Sequence, residues 1–360
     1  MSKDGIYGKT DRYNRDFLVA DENKAYKITH KWDLCYNPAN LKFGVICLNT
    51  YGDAIFSPIY VTFDIADDFS KEFIGYALSR WNFINRALRY QQGTVYERMA
   101  VSPEDFLTIQ CRFPKIHEQE KVAKFLRLID QRIAKQNEYV EHLKKYKRGV
   151  LQAIFDDKSH DYFGEVASGK AVKLSELMDF QNGINADASK YGKGVRYISV
   201  SDILKNNFIT YDKIIGKVDI DNRMMESYSV TYGDVLFQRS SETREDAGRS
   251  NVYLDDERTA TFGGFVIRGK KKSDYEPLYL KYALDSFSVR KQIMQCAAGA
   301  QHINVSQDDL ANVVVELPLA DVKSKISNFI SEIDSRIFME ENKITAQIKL
   351  KKALLQQLFI

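Results

Sequence analysis

Two stretches of the chain carry apolar residues at alternating intervals of four and three, with charged residues between them. The first sets Val122, Leu126, Ile129, Ile133, Val140, Leu143, Val150 and Ile154 in this pattern. The second sets Ile326, Ile330, Ile333, Ile337, Ile344, Leu354 and Leu358 in the same phase. Such spacing, kept over roughly five heptads, predicts two coiled-coil helices. At about 1.5 Å per residue each is a rod of roughly 57 Å. The two are copies. A shift of 204 positions carries Phe125 onto Phe329, Asp130 onto Asp334, Arg132 onto Arg336 and Leu151 onto Leu355.

The duplication reaches upstream of the helices. VSPEDF (101–106) falls on VSQDDL (305–310), and YAL (76–78) falls on YAL (282–284) after a two-residue adjustment. Each repeat is thus a globular part followed by a helix, far longer than the roughly 20–50 residues of a solenoid unit. Polar residues interrupt the seams at matching places, Gln136 and Lys147 in one helix, Glu340 and Lys351 in the other. Parallel pairing would bring Lys147 against Lys351. Antiparallel pairing sets Lys147 opposite Glu340, Gln136 opposite Lys351, Ile129 against Leu358 and Ile154 against Ile333. The antiparallel pair is expected, with Lys147–Glu340 fixing its register at some cost in stability.

Outside the helices the apolar period changes. VRYISVSDI (195–203) alternates as a strand, and SYSVTYGDVLFQRSS (227–241) reads as strand, turn at Gly233–Asp234, and strand. FGGFVIRGKKK (262–272) adds a β segment, and EPLYLKYALDSFSVRKQIMQ (276–295) has helical spacing. Corresponding pieces in the first repeat are YKITHKWDLCYN, SPIYVTF (57–63) and EFIGYALSRWNFINRAL (72–88). The fold class is α+β, two tandem units each followed by a long helix. The expected division is 1–113, a first globular domain shortened at its start; 114–155, a central helix; 156–171, a linker; 172–317, a second globular domain; and 318–360, a C-terminal helix. Val172 has no partner, because the shift carries it before Met1.

Composition narrows the function classes only a little. The 360 residues have 44% hydrophobic and 28% charged content and a net charge of +3, which permits nucleic acid without requiring it. No apolar run approaches a membrane span, and MSKDGIYGKTDRYNRD lacks the apolar stretch of a secretion signal, so a cytoplasmic protein is expected. Cys35, Cys47, Cys111 and Cys296 are scattered without CxxC spacing, and the five histidines without metal-ligand spacing. NPAN (37–40) is a poor match to a base-methylating tetrapeptide, since Asn40 stands where an aromatic ring must stack on a flipped base. Gly192-Lys193-Gly194 is a lone GxG. The chain is expected not to be an enzyme, and to hold no cofactor and no metal.

Two pairs of polar loops remain. FQRSSETREDAGRSN (237–251) carries Arg239, Ser240, Ser241, Arg244 and Arg249 directly after a strand, and AGAQHINVS (298–306) carries Gln301 and His302. In the first repeat NPANLKFG (37–44) carries Asn40 and Lys42, and GTVYERMAVS (93–102) carries Tyr96 and Arg98. Arginine suits guanine edges and phosphates, and Ser, Asn and Gln suit base edges or phosphates. These eleven residues are the candidate contacts should the chain bind DNA; arginines beside Glu242, Glu245 and Asp246 also fit a plain solvated surface.

FPKIHEQEKVAKFLRLIDQRI (113–133) with LKKYKRGVLQAIF (143–155), and its weaker copy LPLADVKSKISNFISEIDSRI (317–337) with KKALLQQLF (351–359), resemble the specificity subunit of type I restriction–modification enzymes. GDVLFQRSS and DLCYNPANLKFG also look like that family's mid-domain strand and loop. Glu118–Gln119 is kept in the first helix, but Val322–Lys323 stands there in the second. The resemblance implies that each globular unit is a target recognition domain reading half of a split double-stranded DNA sequence, the paired helices spacing the halves. It implies partners as well: modification subunits that bring S-adenosylmethionine and methylate adenine, and restriction subunits that add ATP- and magnesium-dependent translocation and cleavage, in defence against phage. Alternatives left open by the residues are a partial specificity subunit with one working reader, and a coiled-coil scaffold that binds proteins.

Overall fold

A computed structural model describes residues 1–2, 5–8, 26–93, 99–156, 169–299, 301–318 and 320–359. They form two compact units, Met1–Glu138 with Asn342–Ile360, and Tyr139–Glu341. The central helix runs Ile116–Phe155 and the C-terminal helix Ala320–Gln357. Each unit thus holds part of both.

The first unit has strands β1 (Lys27–Thr29), β2 (Leu34–Tyr36), β3 (Ile46–Leu48), β4 (Ala54–Phe56) and β5 (Val61–Phe63). β1 pairs β4, and β2 lies between β3 and β5, all antiparallel. Leu34 and Tyr36 share a core with Phe73 and Ala77 of helix Lys71–Leu78, Phe106, and Ala123 of the central helix. The helix starts where Ser70 Oγ accepts the Phe73 N–H, with Glu72 in the first turn beside the positive helix end. Segment 72–88, the counterpart of the helical 276–295, lies in two helices, Lys71–Leu78 and Trp81–Ala87. Ser79 turns its hydroxyl back to the Tyr76 carbonyl at 3.3 Å, the local competition that makes serine a poor helix interior.

The second unit has β6 (Lys170–Lys173), β7 (Met178–Asn182), β8 (Tyr191–Ile198), β9 (Lys217–Val218), β10 (Val235–Gln238), β11 (Ser240–Ser241), β12 (Ser250–Val252), β13 (Thr261–Phe262), β14 (Val266–Lys271), β15 (Ile303–Asn304) and β16 (Val314–Leu317). The main sheet has the order β12-β10-β14-β7 and is antiparallel. β8 sits between β13, parallel, and β9, antiparallel. β10 is buried on both faces. Its period of two sends Val235 and Phe237 into one core and Leu236 into another. The expected strand over 195–203 stops at Ile198. Ser199 and Asp202 form a capping box, Ser199 N–H and Oγ each donating to Asp202 Oδ2, and helix Val200–Lys205 follows. Residues before Gly233 form a helix, Asn222–Ser227, and a single bridge from Val230 to Ala260 instead of a strand. The helix expected over 276–295 is also two, Pro277–Leu284 and Phe287–Cys296, broken where Ser286 Oγ bonds the Ala283 carbonyl.

Within each unit the two long helices are antiparallel, but their register corrects the expected one. Lys147 Nζ lies 2.6 Å from Asp334 Oδ1, not against Glu340, which takes Arg336 Nε at 3.1 Å. Lys351 Nζ lies 2.5 Å from Asp130 Oδ1, not against Gln136. Both lysines meet a carboxylate six positions earlier than expected, close to one heptad. Ile154 accordingly packs in a cluster with Ile326 and Ile330, not Ile333. A slip of one heptad keeps apolar positions facing apolar positions, so the hydrophobic pattern does not distinguish the two registers.

What distinguishes them comes from outside the helices. Tyr76 donates its hydroxyl to Asp130 Oδ2 at 2.7 Å, and Tyr282 donates to Asp334 Oδ2 at 3.0 Å. Lys351 also lies over the Tyr76 ring and Lys147 over the Tyr282 ring, with centroid distances of 5.3 and 5.4 Å. Each unit thus carries the same Tyr–Asp–Lys contact, joining the globular part to both helices. Burial, then the neighbouring carboxylate, pushes both tyrosine hydroxyls well above their usual range.

Candidate nucleic-acid interface

The two candidate loops of the second unit are joined. β10 leads into the first loop, whose β11 pairs with β15 of the second, Ser240 opposite Asn304 and Ser241 opposite Ile303. The Val305 N–H donates to the Arg239 carbonyl at 3.0 Å, and Ser240 Oγ meets Asn304 Oδ1 at 2.5 Å. The second loop closes as a hairpin in which Ala298 pairs with Asn304. Gly299 has φ +139°, and a Cβ there would lie 1.9 Å from the His302 carbonyl oxygen, so only glycine fits. This hairpin leaves Gln301 and His302 exposed.

Arg239 lies on the same surface. One guanidinium nitrogen donates to the Gly264 carbonyl at 3.3 Å, and the side chain lines a groove of about 540 Å³ with Asn182, Asn304 and Ser306. A guanidinium has five donors, and this contact uses one. Ser240 is half-buried beside Asn304. Ser241 is buried, its hydroxyl accepting the Thr243 N–H at 3.2 Å to hold the turn. Arg244 is exposed and donates to the Met294 carbonyl at 3.3 Å. Arg249 pairs with Asp246 at 3.4 Å and lines a different groove with Arg148 and Gln152 of the central helix and Asp156 just after it. Arg239, Gln301 and His302 are therefore carried by the loop pair, while Arg249 belongs to the side toward the central helix and Arg244 turns to helix Phe287–Cys296.

Sequence reasoning passed over Arg290, which shapes the first loop from beneath. It is buried on helix Phe287–Cys296 and donates one terminal nitrogen to the carbonyls of Glu245 and Ala247, at 2.9 and 2.7 Å. Burial, with Arg249 nearby, lowers its pKa to about 10. Its signal was an arginine at an apolar-facing position of a helix, which periodicity alone counts as noise.

The first unit repeats the arrangement. The Val101 N–H donates to the Pro38 carbonyl at 3.3 Å, as Val305 does to Arg239, and Gln92 pairs with Ala100 as Ala298 does with Asn304. Gly93, at φ +148°, takes the place of Gly299. Asn37 is buried and its Oδ1 accepts the Asn40 N–H at 3.1 Å. Asn40 and Lys42 are exposed, with the Lys42 ammonium 5.2 Å from the Phe43 ring centroid. Tyr96 and Arg98 lie outside the described residues. Among the described residues no group of three His, Cys, Asp or Glu is placed to hold a metal, and no helix is long and apolar enough to cross a membrane.

Comparison with known proteins bears on the fold that carries these loops. The type I restriction enzyme MjaVIII specificity subunit of Methanocaldococcus jannaschii is 22% identical over 282 residues, which cover 72% of this chain and 63% of that subunit's length. A chain from a structure on complex assembly and conformational transition of the type I R-M system overlays with a TM-score of 0.60 at 18% identity, covering 94% of this chain and 84% of that one. The type I restriction–modification S subunit from M. genitalium overlays at 0.55 and 15%, covering 93% and 84%. At these identities the overlays establish the fold. The family model for the type I restriction modification DNA specificity domain matches residues 169–350, just over half of the 360, and the chain belongs to that family.

Proposed function

We propose that this chain is the sequence-specific DNA-recognition subunit of a type I restriction–modification complex. It reads a bipartite double-stranded target and is itself non-catalytic. The observation that carries the reading is the repeated loop pair, closed by Val101 N–H to Pro38 in one unit and Val305 N–H to Arg239 in the other. One exposed polar surface made twice by one chain suits one target read in two halves. The antiparallel helices are the spacer between the halves. Asn40, Lys42, Arg239, Gln301 and His302 are the proposed contacts, with salt-dependent binding through phosphates and discrimination through base edges. Methylation and cleavage are supplied by modification and restriction subunits, which carry S-adenosylmethionine, ATP and magnesium, and the complex acts in the cytoplasm.

The test is a methylome. The chain is expressed with its modification subunit in a host lacking DNA methylation, and N6-methyladenine is mapped genome-wide. An asymmetric split motif is expected. A palindromic split motif would assign all reading to one unit, and the absence of any motif would sink the proposal.

The helices also offer a docking surface for the modification subunits. Phe125 and Phe329, equivalent in the repeat, are both exposed. Phe329 borders an apolar groove of about 730 Å³ with Tyr146, Val150 and Ile154. Aromatic residues, phenylalanine included, are enriched at the core of protein interfaces. Phe329→Ala is expected to weaken modification-subunit binding by about 1–3 kcal/mol, read by calorimetric titration, with DNA contacts unaltered.

A further inference from the structure

The repeat extends to a feature that lies beside the reading loops without belonging to them. In the second unit the turn Gly263–Val266 enters β14, closed by the Val266 N–H on the Gly263 carbonyl at 2.8 Å. In the first unit Ser57–Tyr60 precedes β5, closed by the Tyr60 N–H on the Ser57 carbonyl at 3.1 Å. The strands that follow are equivalent, since Val61 of β5 pairs with Tyr36 of β2 as Ile267 of β14 pairs with Phe237 of β10. The third residue of each turn is a large apolar side chain held in solvent, Ile59 at 59% exposure and Phe265 at 68%.

A single exposed apolar residue is ordinary on a protein surface. Two at one equivalent position, on repeats whose other turn residues differ (Ser57 and Pro58 against Gly263 and Gly264), call for a shared cause. The second turn is also fixed in place. A Cβ on Gly263 would lie 2.1 Å from the Tyr197 hydroxyl, and one on Gly264 1.9 Å from Asn185 Oδ1. The turn abuts the loop pair directly: the Arg239 N–H donates to the Phe265 carbonyl at 2.9 Å, and the Arg239 guanidinium bonds Gly264. The aromatic ring is presented beside donors suited to base edges, on a rigid platform.

On the reading that each unit contacts half of a DNA target, we propose that Ile59 and Phe265 are specificity-determining residues, each packing against the 5-methyl group of a thymine in its own half-site. In the major groove that methyl is the one apolar mark on a base edge, and an apolar side chain is what reads it. The side chain gains cover it lacks in the free protein, and cytosine in the same place offers no methyl.

The experiment uses the full chain bound to its modification subunits and the target found by the methylome. Each thymine of each half-site is replaced in turn by deoxyuridine, which deletes only the methyl. For the wild type, one such replacement per half-site is expected to weaken binding by about three- to fivefold, the worth of one buried methyl. In Phe265→Ala that sensitivity disappears in the second unit's half-site and persists in the other; Ile59→Ala shows the reverse. Phe265→Leu keeps part of it. Unaltered melting temperatures confirm that the variants fold, as exposed positions should allow. Equal thymine-to-uracil effects in wild type and variants, or a half-site without thymine, would overturn the proposal while leaving the DNA-recognition reading intact. Failure of the wild-type complex to bind its methylome target would instead overturn that reading.

Discussion

Asp334→Ala is expected to destabilise the second unit by about 3–5 kcal/mol, measured by urea unfolding or by hydrogen exchange of residues 139–341. The carboxylate side chain is only 9% exposed and receives two charge-bearing or polar donors, the Lys147 ammonium and the Tyr282 hydroxyl. Removing it leaves an ammonium in a site where burial already lowers the lysine pKa, with Lys281 adding like charge. An unpaired buried charge costs far more than a pair contributes, so the loss exceeds that of one hydrogen bond. The equivalent Asp130→Ala in the first unit is expected to cost under about 1 kcal/mol for its ion pair. There the carboxylate is 38% exposed and solvent screens its pairing with Lys351. Replacing both members of the buried pair, Lys147→Met with Asp334→Leu, should recover much of the loss. Equal effects at Asp130 and Asp334 would show that burial does not set the difference.

This contact also marks the limit of what the sequence could tell. The repeat, the two long helices, their antiparallel sense and the match of each loop to its copy were legible because each rests on periodicity or on a match between distant segments; that the two loops of one unit join was not. Register was not. Apolar residues recur every heptad, so several alignments bury the same side chains, and the choice falls to Tyr76 and Tyr282 reaching in from the globular parts. The clue was present, since YAL and Ile-Asp both recur in the two repeats, but linking them needs a distance. The capping box at Ser199–Asp202 was legible in principle, but the apolar alternation around it argued for a strand.

The candidate contacts divide for a similar reason. A loop sequence lists side chains without saying which way each one faces. Ser241 is spent on its own turn, and Arg249 is drawn by Asp246 toward the central helix. Arg290, which holds that loop by two carbonyls, lies more than forty residues away in sequence, and its one signal, an arginine on an apolar helix face, does not point to the loop. What the sequence did locate was the pair of segments, because both recur before a copied helix.

Arg239→Ala is expected to lower affinity for the cognate target about 10- to 100-fold, equivalent to about 1–3 kcal/mol, and to relax the methylated motif at one position of one half-site. The residue is backed on both sides, its own carbonyl accepting from Val305 and its N–H donating to Phe265, so the side chain leaves a fixed base. One guanidinium nitrogen is anchored on Gly264, which orients the planar group while leaving donors free for a paired contact with a guanine edge. Binding measured against salt concentration separates this from a phosphate contact. A base contact leaves non-cognate affinity and the salt slope as they were. A phosphate contact weakens every sequence alike and reduces the slope by about one. Arg239→Lys should recover little, because an ammonium replaces the charge without the paired geometry. An unchanged motif in Arg239→Ala would remove this arginine from the reading surface and shift discrimination to Gln301, His302 and the neighbouring turn.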